Sequence, residues 1–175
     1  MAGEMDFEAL VSQHYGALYR FAMSLARTES DAGDLVQTTF LTFASKGSQL
    51  RDPAKAKSWL FTTLHREHLQ RQRRITRFPE VEVSDAEAEL PVVEPELVER
   101  LDASAVMDLL ARVEEPFKAA VALFYLEDYS HAEIAEVLGV PLGTVKSRIA
   151  RGLNQLKQLV LATKPGLASK EGSQP

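Results

Sequence analysis

The 175-residue sequence predicts an all-α protein: two small helical domains joined by an acidic, flexible linker. Three observations carry that prediction. Apolar residues recur at spacings of three and four along most of the chain, and no stretch of useful length alternates with period two. Charge is partitioned, with nine basic and two acidic residues over 46–77 but one basic and nine acidic over 78–102. Pro79, Pro91 and Pro95 break the helical pattern inside that acidic stretch.

In chain order, Phe7, Leu10, Val11, Leu18, Phe21 and Leu25 form an amphipathic stripe for a first helix. Leu35, Val36, Phe40 and Phe43 form a second, with Ser30 and Asp31 as its candidate caps. Gly47 and Pro53 bracket a loop, and a third helix runs from about Ala54 to Arg74 with Trp59, Leu60 and Leu64 inward. Residues 1–77 make the first domain and 78–102 the linker. Helical spacing resumes at Leu97, Leu101 and Ala105 and continues through Leu109 and Val113, followed by a short helix over Phe117–Tyr125. The second domain spans 103–163, and the small, polar tail over 164–175 is expected to be disordered.

Several function classes find no support. The chain has no Cys, hence no disulfide, thiolate nucleophile or Cys-ligated zinc. His65 and His68 stand three apart on a helix, but only Glu67 lies near enough to complete a metal site, so no metal is expected. There is no Ser–His–Asp set, phosphate-binding Gly loop or paired catalytic carboxylates; neither enzyme activity, cofactor nor small-molecule substrate is expected. No apolar run approaches the roughly 18 residues of a membrane span, and Met1–Asp6 does not read as a signal peptide, so a cytoplasmic protein without membrane attachment is expected. The formal net charge of −5 seems to argue against nucleic acid. Resolved along the chain, that acidity sits almost wholly in the linker.

The most specific local signal is SHAEIAEVLGVPLGTVKSRIARGLNQLK, Ser130–Lys157. Ser130 and Glu133 have capping-box spacing, and Gly139 ends the helix where a positive φ is needed. Val145, Ile149, Leu153, Leu156 and Val160 then line one face of a second helix, with no acid between 144 and 157. This is a helix-turn-helix whose second helix enters a major groove. Gly143, Thr144, Lys146 and Ser147 would meet bases, and Arg148 and Arg151 phosphates. Upstream, Arg66, Arg71, Arg73, Arg74 and Arg77 on the third helix, with Lys46, Arg51, Lys55 and Lys57 before it, offer a second basic surface for a phosphate backbone.

This order of parts resembles the extracytoplasmic-function (ECF) sigma factors of the bacterial sigma-70 family, over roughly residues 7–163. YGALYRFAMSLARTESDAGDLVQTTFLTFAS is similar to the start of the family's σ2 domain. DPAKAKSWLFTTLHREHLQRQRR is similar to the part that melts and reads the −10 element, and EIAEVLGVPLGTVKSRIARGLNQL to the σ4 helix-turn-helix that reads the −35 element.

The resemblance implies docking of DAGDLVQTTF on the clamp helices of the core RNA polymerase β′ subunit, through Asp34, Leu35, Val36, Gln37 and Phe40. It also implies contact of σ4 with the β-flap, capture of a flipped −10 base by the loop from Lys46 to Lys57, passage of the acidic linker through the polymerase, and an anti-sigma partner. Arg66 and Gln70 depart from the family's common Asn and Asp, which bears on −10 preference. Two promoter elements about 17 base pairs apart lie roughly 58 Å apart along B-DNA, at about 3.4 Å per pair. The 25 linker residues reach at most about 80–90 Å. Two other readings remain open at this point: a regulator that uses the C-terminal module without polymerase, and a sigma-like protein that titrates an anti-sigma factor.

Overall fold

The computed structural model describes residues 6–76 and 102–163; the expectations for the acidic linker and the tail lie outside them. Seven α-helices are seen there: α1 (Phe7–Leu25), α2 (Glu29–Lys46), α3 (Ala56–Ile75), α4 (Ala103–Leu110), α5 (Phe117–Leu126), α6 (His131–Leu138) and α7 (Leu142–Thr163). The all-α expectation holds, and no strand occurs among the described residues.

Local chemistry sets the helix ends. The Asp6 carboxylate accepts from the Glu8 and Ala9 amides and starts α1. The cap of α2 is Thr28, not Ser30 or Asp31. Its hydroxyl oxygen accepts from the Asp31 amide at 3.1 Å while its proton goes to the Asp31 carboxylate at 2.8 Å. A Thr two residues earlier is easily passed over, because Ser30 and Asp31 are themselves good caps by type. Gly47 follows α2 where a Cβ would stand 2.7 Å from the Phe43 ring. Two single 3₁₀ turns, Gly47–Gln49 and Pro53–Lys55, then replace the expected featureless loop.

Helices α1, α2 and α3 pack as one bundle around Leu18, Phe21, Leu35, Val36, Leu60 and Leu64, all essentially inaccessible to solvent. In the second unit, α5 is apolar nearly all round and runs through the middle, as a helix with no polar face must. Helices α4, α6 and α7 pack about it or about one another. Ser130 and Glu133 close both arms of the capping box, and Gly139 takes φ +66° at the end of α6. The predicted stripe on α7, Val145 through Val160, is buried throughout.

Where α7 crosses α5, Gly152 lets the helices touch. A Cβ there would run into the Val121 side chain and come within 3.3 Å of Phe117 Cβ. Gly152→Ala gains helix propensity yet overpacks this crossing. It is expected to destabilise the protein by about 1–3 kcal/mol, read as a lower urea midpoint at unchanged slope.

The two units are not held apart. Helices α1 and α3 of the first lie against α5 and α6 of the second, and one continuous apolar core runs through both.

Candidate nucleic-acid interface

The surface expected to meet a major groove begins at the N-terminal turn of α7. Gly143 and Lys146 are exposed there. Ser147 is partly buried and donates to the Thr144 carbonyl at 3.0 Å, while Thr144 itself is buried. Thr144 therefore supports the turn from within in this conformer and does not present its side chain to bases. Arg151 is half-buried, its guanidinium 6.0 Å from the centre of the Phe117 ring. Arg148 is also half-buried, with its Nε shut off from solvent. Of the six expected contacts, Gly143 and Lys146 are the two whose residues stand open.

On the first unit, α2, the 3₁₀ turn and α3 enclose a cleft of about 470 Å³. Thr42 and Lys46 come from α2, Gln49 and Leu50 from the turn, and Trp59, Thr63, Arg66, Glu67 and Gln70 from α3. Two expected basic residues, Lys46 and Arg66, thus share one wall system. Trp59 serves both purposes weighed for it: its ring packs edge-on against Phe43 at 5.2 Å, and it floors the cleft. Glu67, Thr63 and Gln49 were not expected there. The spacing of 59, 63, 66, 67 and 70 marks one helical face and could have pointed to all the α3 contributors.

The other basic residues scatter. Arg51 and Lys55 are exposed on the loop, and Arg73 and Arg74 on the last turn of α3. Arg71 donates to Thr38 Oγ1 at 3.2 Å and ties α3 to α2. Lys57 points elsewhere altogether, its Nζ 4.7 Å over the Tyr129 ring of the second unit.

Among the residues expected to dock on polymerase, Asp34 and Gln37 are exposed. Leu35 and Val36 are each 1% exposed and hold α2 onto the core, so they offer no surface to a partner. Their periodicity signalled burial; their place in the motif suggested contact, and packing decides for burial. Phe40 is nearly buried, edge-on to Phe7 at 6.4 Å and stacked with Tyr15 at 6.5 Å. Those partners are exposed, as is Leu41, so an apolar patch across α1 and α2 adjoins the docking candidates.

The histidines turn toward the second unit. His68 Nε2 lies 3.2 Å from Glu115 Oε1. His65 is buried beside it, and burial, reinforced by His68, lowers its pKa to about 4. Burial alone would raise Glu115; the hydrogen bond and charge of His68, then Lys118, bring it below the ordinary carboxylate value instead. No described helix is long and apolar enough to cross a membrane.

Comparison with known proteins matches this geometry. The pattern of sigma-70 region 2 covers residues 10–78, and that of sigma-70 region 4 covers residues 103–156. The chain is 33% identical over 154 residues to the ECF RNA polymerase sigma factor SigM of Mycobacterium tuberculosis, covering 88% of this chain and 76% of that one. SigL of the same species is 32% identical over 152 residues, with 85% of each chain covered. Among solved structures, the sigma factor RpoE of Bartonella quintana, in complex with the anti-sigma factor NepR, superposes with a TM-score of 0.69 at 29% identity, over 91% of this chain and 98% of RpoE. A region 2 bundle carrying a basic cleft, followed by a region 4 helix-turn-helix, is what these relatives share, and the chain belongs to the ECF group of the sigma-70 family, the alternative sigma factors of transcription initiation.

Proposed function

We propose that this sigma factor docks on core RNA polymerase through the exposed face of α2, captures an unstacked −10 base in the α2–α3 cleft and reads a −35 element with α7. The observation that carries the reading is the cleft. It combines an aromatic floor, Trp59, with the cations Lys46 and Arg66 and the amide or carboxylate groups of Gln49, Glu67 and Gln70. A splayed nucleotide offers a ring to stack, a phosphate, and base-edge donors and acceptors that a paired base hides, and the cleft has a group for each. None of this needs covalent chemistry from the chain; binding energy opens and positions the promoter, and the polymerase makes RNA in the cytoplasm.

Docking is assigned to Asp34 and Gln37 with the adjoining patch of Phe7, Tyr15 and Leu41, because these are accessible together on α1 and α2. Region 4 would contact the β-flap, and the acidic segment would follow a basic channel in the polymerase. RpoE was solved with a protein inhibitor bound. By the same likeness, an anti-sigma factor is assigned as a partner here.

The test is co-elution of the purified chain with core polymerase, followed by run-off transcription mapped at the 5′ ends. Asp34→Arg is expected to reduce co-elution at least tenfold while leaving the helical content intact. Loss of neither co-elution nor transcripts in that variant would remove α2 from the docking face. Specific binding of duplex DNA by the chain alone, with no transcripts at all, would favour a polymerase-independent regulator. Lys146→Ala, at the open start of α7, is expected to weaken −35-dependent initiation and flatten its log–log salt dependence by about one, the signature of a lost phosphate contact. An unchanged slope would move Lys146 away from the DNA backbone.

A further inference from the structure

The two units share a face that their separate roles do not require. At its centre the Phe61 ring of α3 lies 5.3 Å from the ring of Tyr129, which precedes α6; both are buried. Lys57 Nζ sits over that same Tyr129 ring. To one side Arg20 of α1 grips Glu127 with two hydrogen bonds, Nε at 3.2 Å and Nη2 at 3.1 Å. To another, His68 of α3 meets Glu115, which Lys118 approaches from the second unit at 4.0 Å. An apolar centre ringed by polar pairs is how a specific interface is built, not an incidental touch.

This face also takes in part of the DNA-reading helix. Arg148 of α7 lies near enough to His65 of α3 for its charge to act on that ring, and its Nε is closed to solvent. Thr144, one turn earlier, is buried. With α3 against it, Arg148 cannot turn to a phosphate. Two promoter elements roughly 58 Å apart, at about 3.4 Å per base pair, likewise demand that the units separate.

We propose that this contact is an intramolecular latch: the chain's own side chains hold regions 2 and 4 in a closed conformer that cannot place α7 in a major groove, and the face between α3 and α6 must open before DNA binds. The latch rests on α7 being the DNA-reading helix. It adds that the closed state needs no inhibitor to form, although an inhibitor that binds both units would select it. Affinity for DNA is then reduced by the fraction of chain that is open.

The chain has no Cys, so spin labels can be placed on the full-length protein at Gln13→Cys and Ala132→Cys, exposed sites in the two units. Pulsed electron–electron resonance on the chain alone is expected to give one narrow, short distance. Tyr129→Ala is expected to convert it to a broad, longer distribution, and Arg20→Gln to add a longer component. Should Tyr129→Ala lose helix by circular dichroism, Arg20→Gln carries the test alone, since that side chain is 55% exposed and its loss leaves the core intact. A random-sequence DNA duplex at low salt should lengthen the wild-type distance.

Arg20→Gln should also bind that duplex about threefold more tightly. This direction is diagnostic, because removal of a positive charge by itself weakens binding to DNA. A wild-type distribution already as broad as that of Tyr129→Ala overturns the latch. So does duplex bound with the narrow distance unchanged. Absence of duplex binding by every variant would instead overturn the DNA reading of α7, and the distances without DNA would still show whether the closed contact exists.

Discussion

Phe61→Ala is expected to lower the unfolding free energy by about 3–5 kcal/mol, the range for removing a fully buried aromatic ring. Phe61 has no solvent exposure and is held on two sides, by Phe21 of α1 at 5.4 Å and by Tyr129 at 5.3 Å. The first contact belongs to the region 2 bundle and the second crosses to region 4. Truncation therefore opens a cavity at the place where the two units share their core, and neither can collapse into it without moving the other. Urea denaturation followed by circular dichroism checks the magnitude. Leu41→Ala is the control: that side chain is 63% exposed, and its loss should change stability by no more than about 0.5 kcal/mol. A similar cost for both variants would mean that the shared core contributes little in solution.

Acid should weaken the fold through His65. Its folded-state pKa is about 4, set first by burial and then by the neighbouring His68, against an ordinary value of 6.5. The folded protein thus holds His65 neutral in a window where the unfolded chain binds a proton. The contribution is fully present above about pH 6.5 and is lost progressively as pH falls toward 4. It amounts to about 3 kcal/mol over that window at about 1.4 kcal/mol per pH unit.

Two carboxylates modulate this. Glu115, held below its ordinary value, gives stability that is lost only as pH falls further through its own titration. Glu127 works the other way. Its burial outweighs the pull of Arg20 and raises its pKa, so protonation near or above its ordinary value of 4.5 offsets part of the loss. The difference between wild type and His65→Leu isolates the histidine. The wild-type urea midpoint should fall steeply between pH 6.5 and 4, and that of His65→Leu should fall much less. Parallel curves would place His65 in water.

Much of the architecture could be read without coordinates because it rests on local rules. The capping box at Ser130 and Glu133, the left-handed Gly139 and the stripe from Val145 to Val160 each depend on residues within one or two turns, and each formed as expected. The α2 cap moved from Ser30 or Asp31 to Thr28 because several good capping residues stood in a row, and only the geometry of the chain entering the helix chooses among them.

Exposure was harder to anticipate. Leu35 and Val36 lie within the docking motif, yet both face the core; Tyr15, Phe7 and Leu41, which drew no notice as surface, lie outside. An apolar residue carries the same signal whether it serves a core or a partner, so periodicity alone cannot say which helix face remains open once three helices have packed. The cleft shows the same limit. Lys46 and Arg66 were picked for charge, but their meeting with Trp59 and Gln49 depends on how closely α2 and α3 approach.

By itself the sequence determined the helical content, the two units in order, the helix-turn-helix and the family, since all of these follow from spacing, caps and motif over short ranges. Only the tertiary structure decided which basic residues face DNA and which face the other half of the molecule. Lys57 over Tyr129, His68 against Glu115 and Arg148 beside His65 pair residues from distant parts of the chain. Such pairings depend on how two finished bundles dock, and docking is set by the shape and burial of whole faces, which no local pattern encodes.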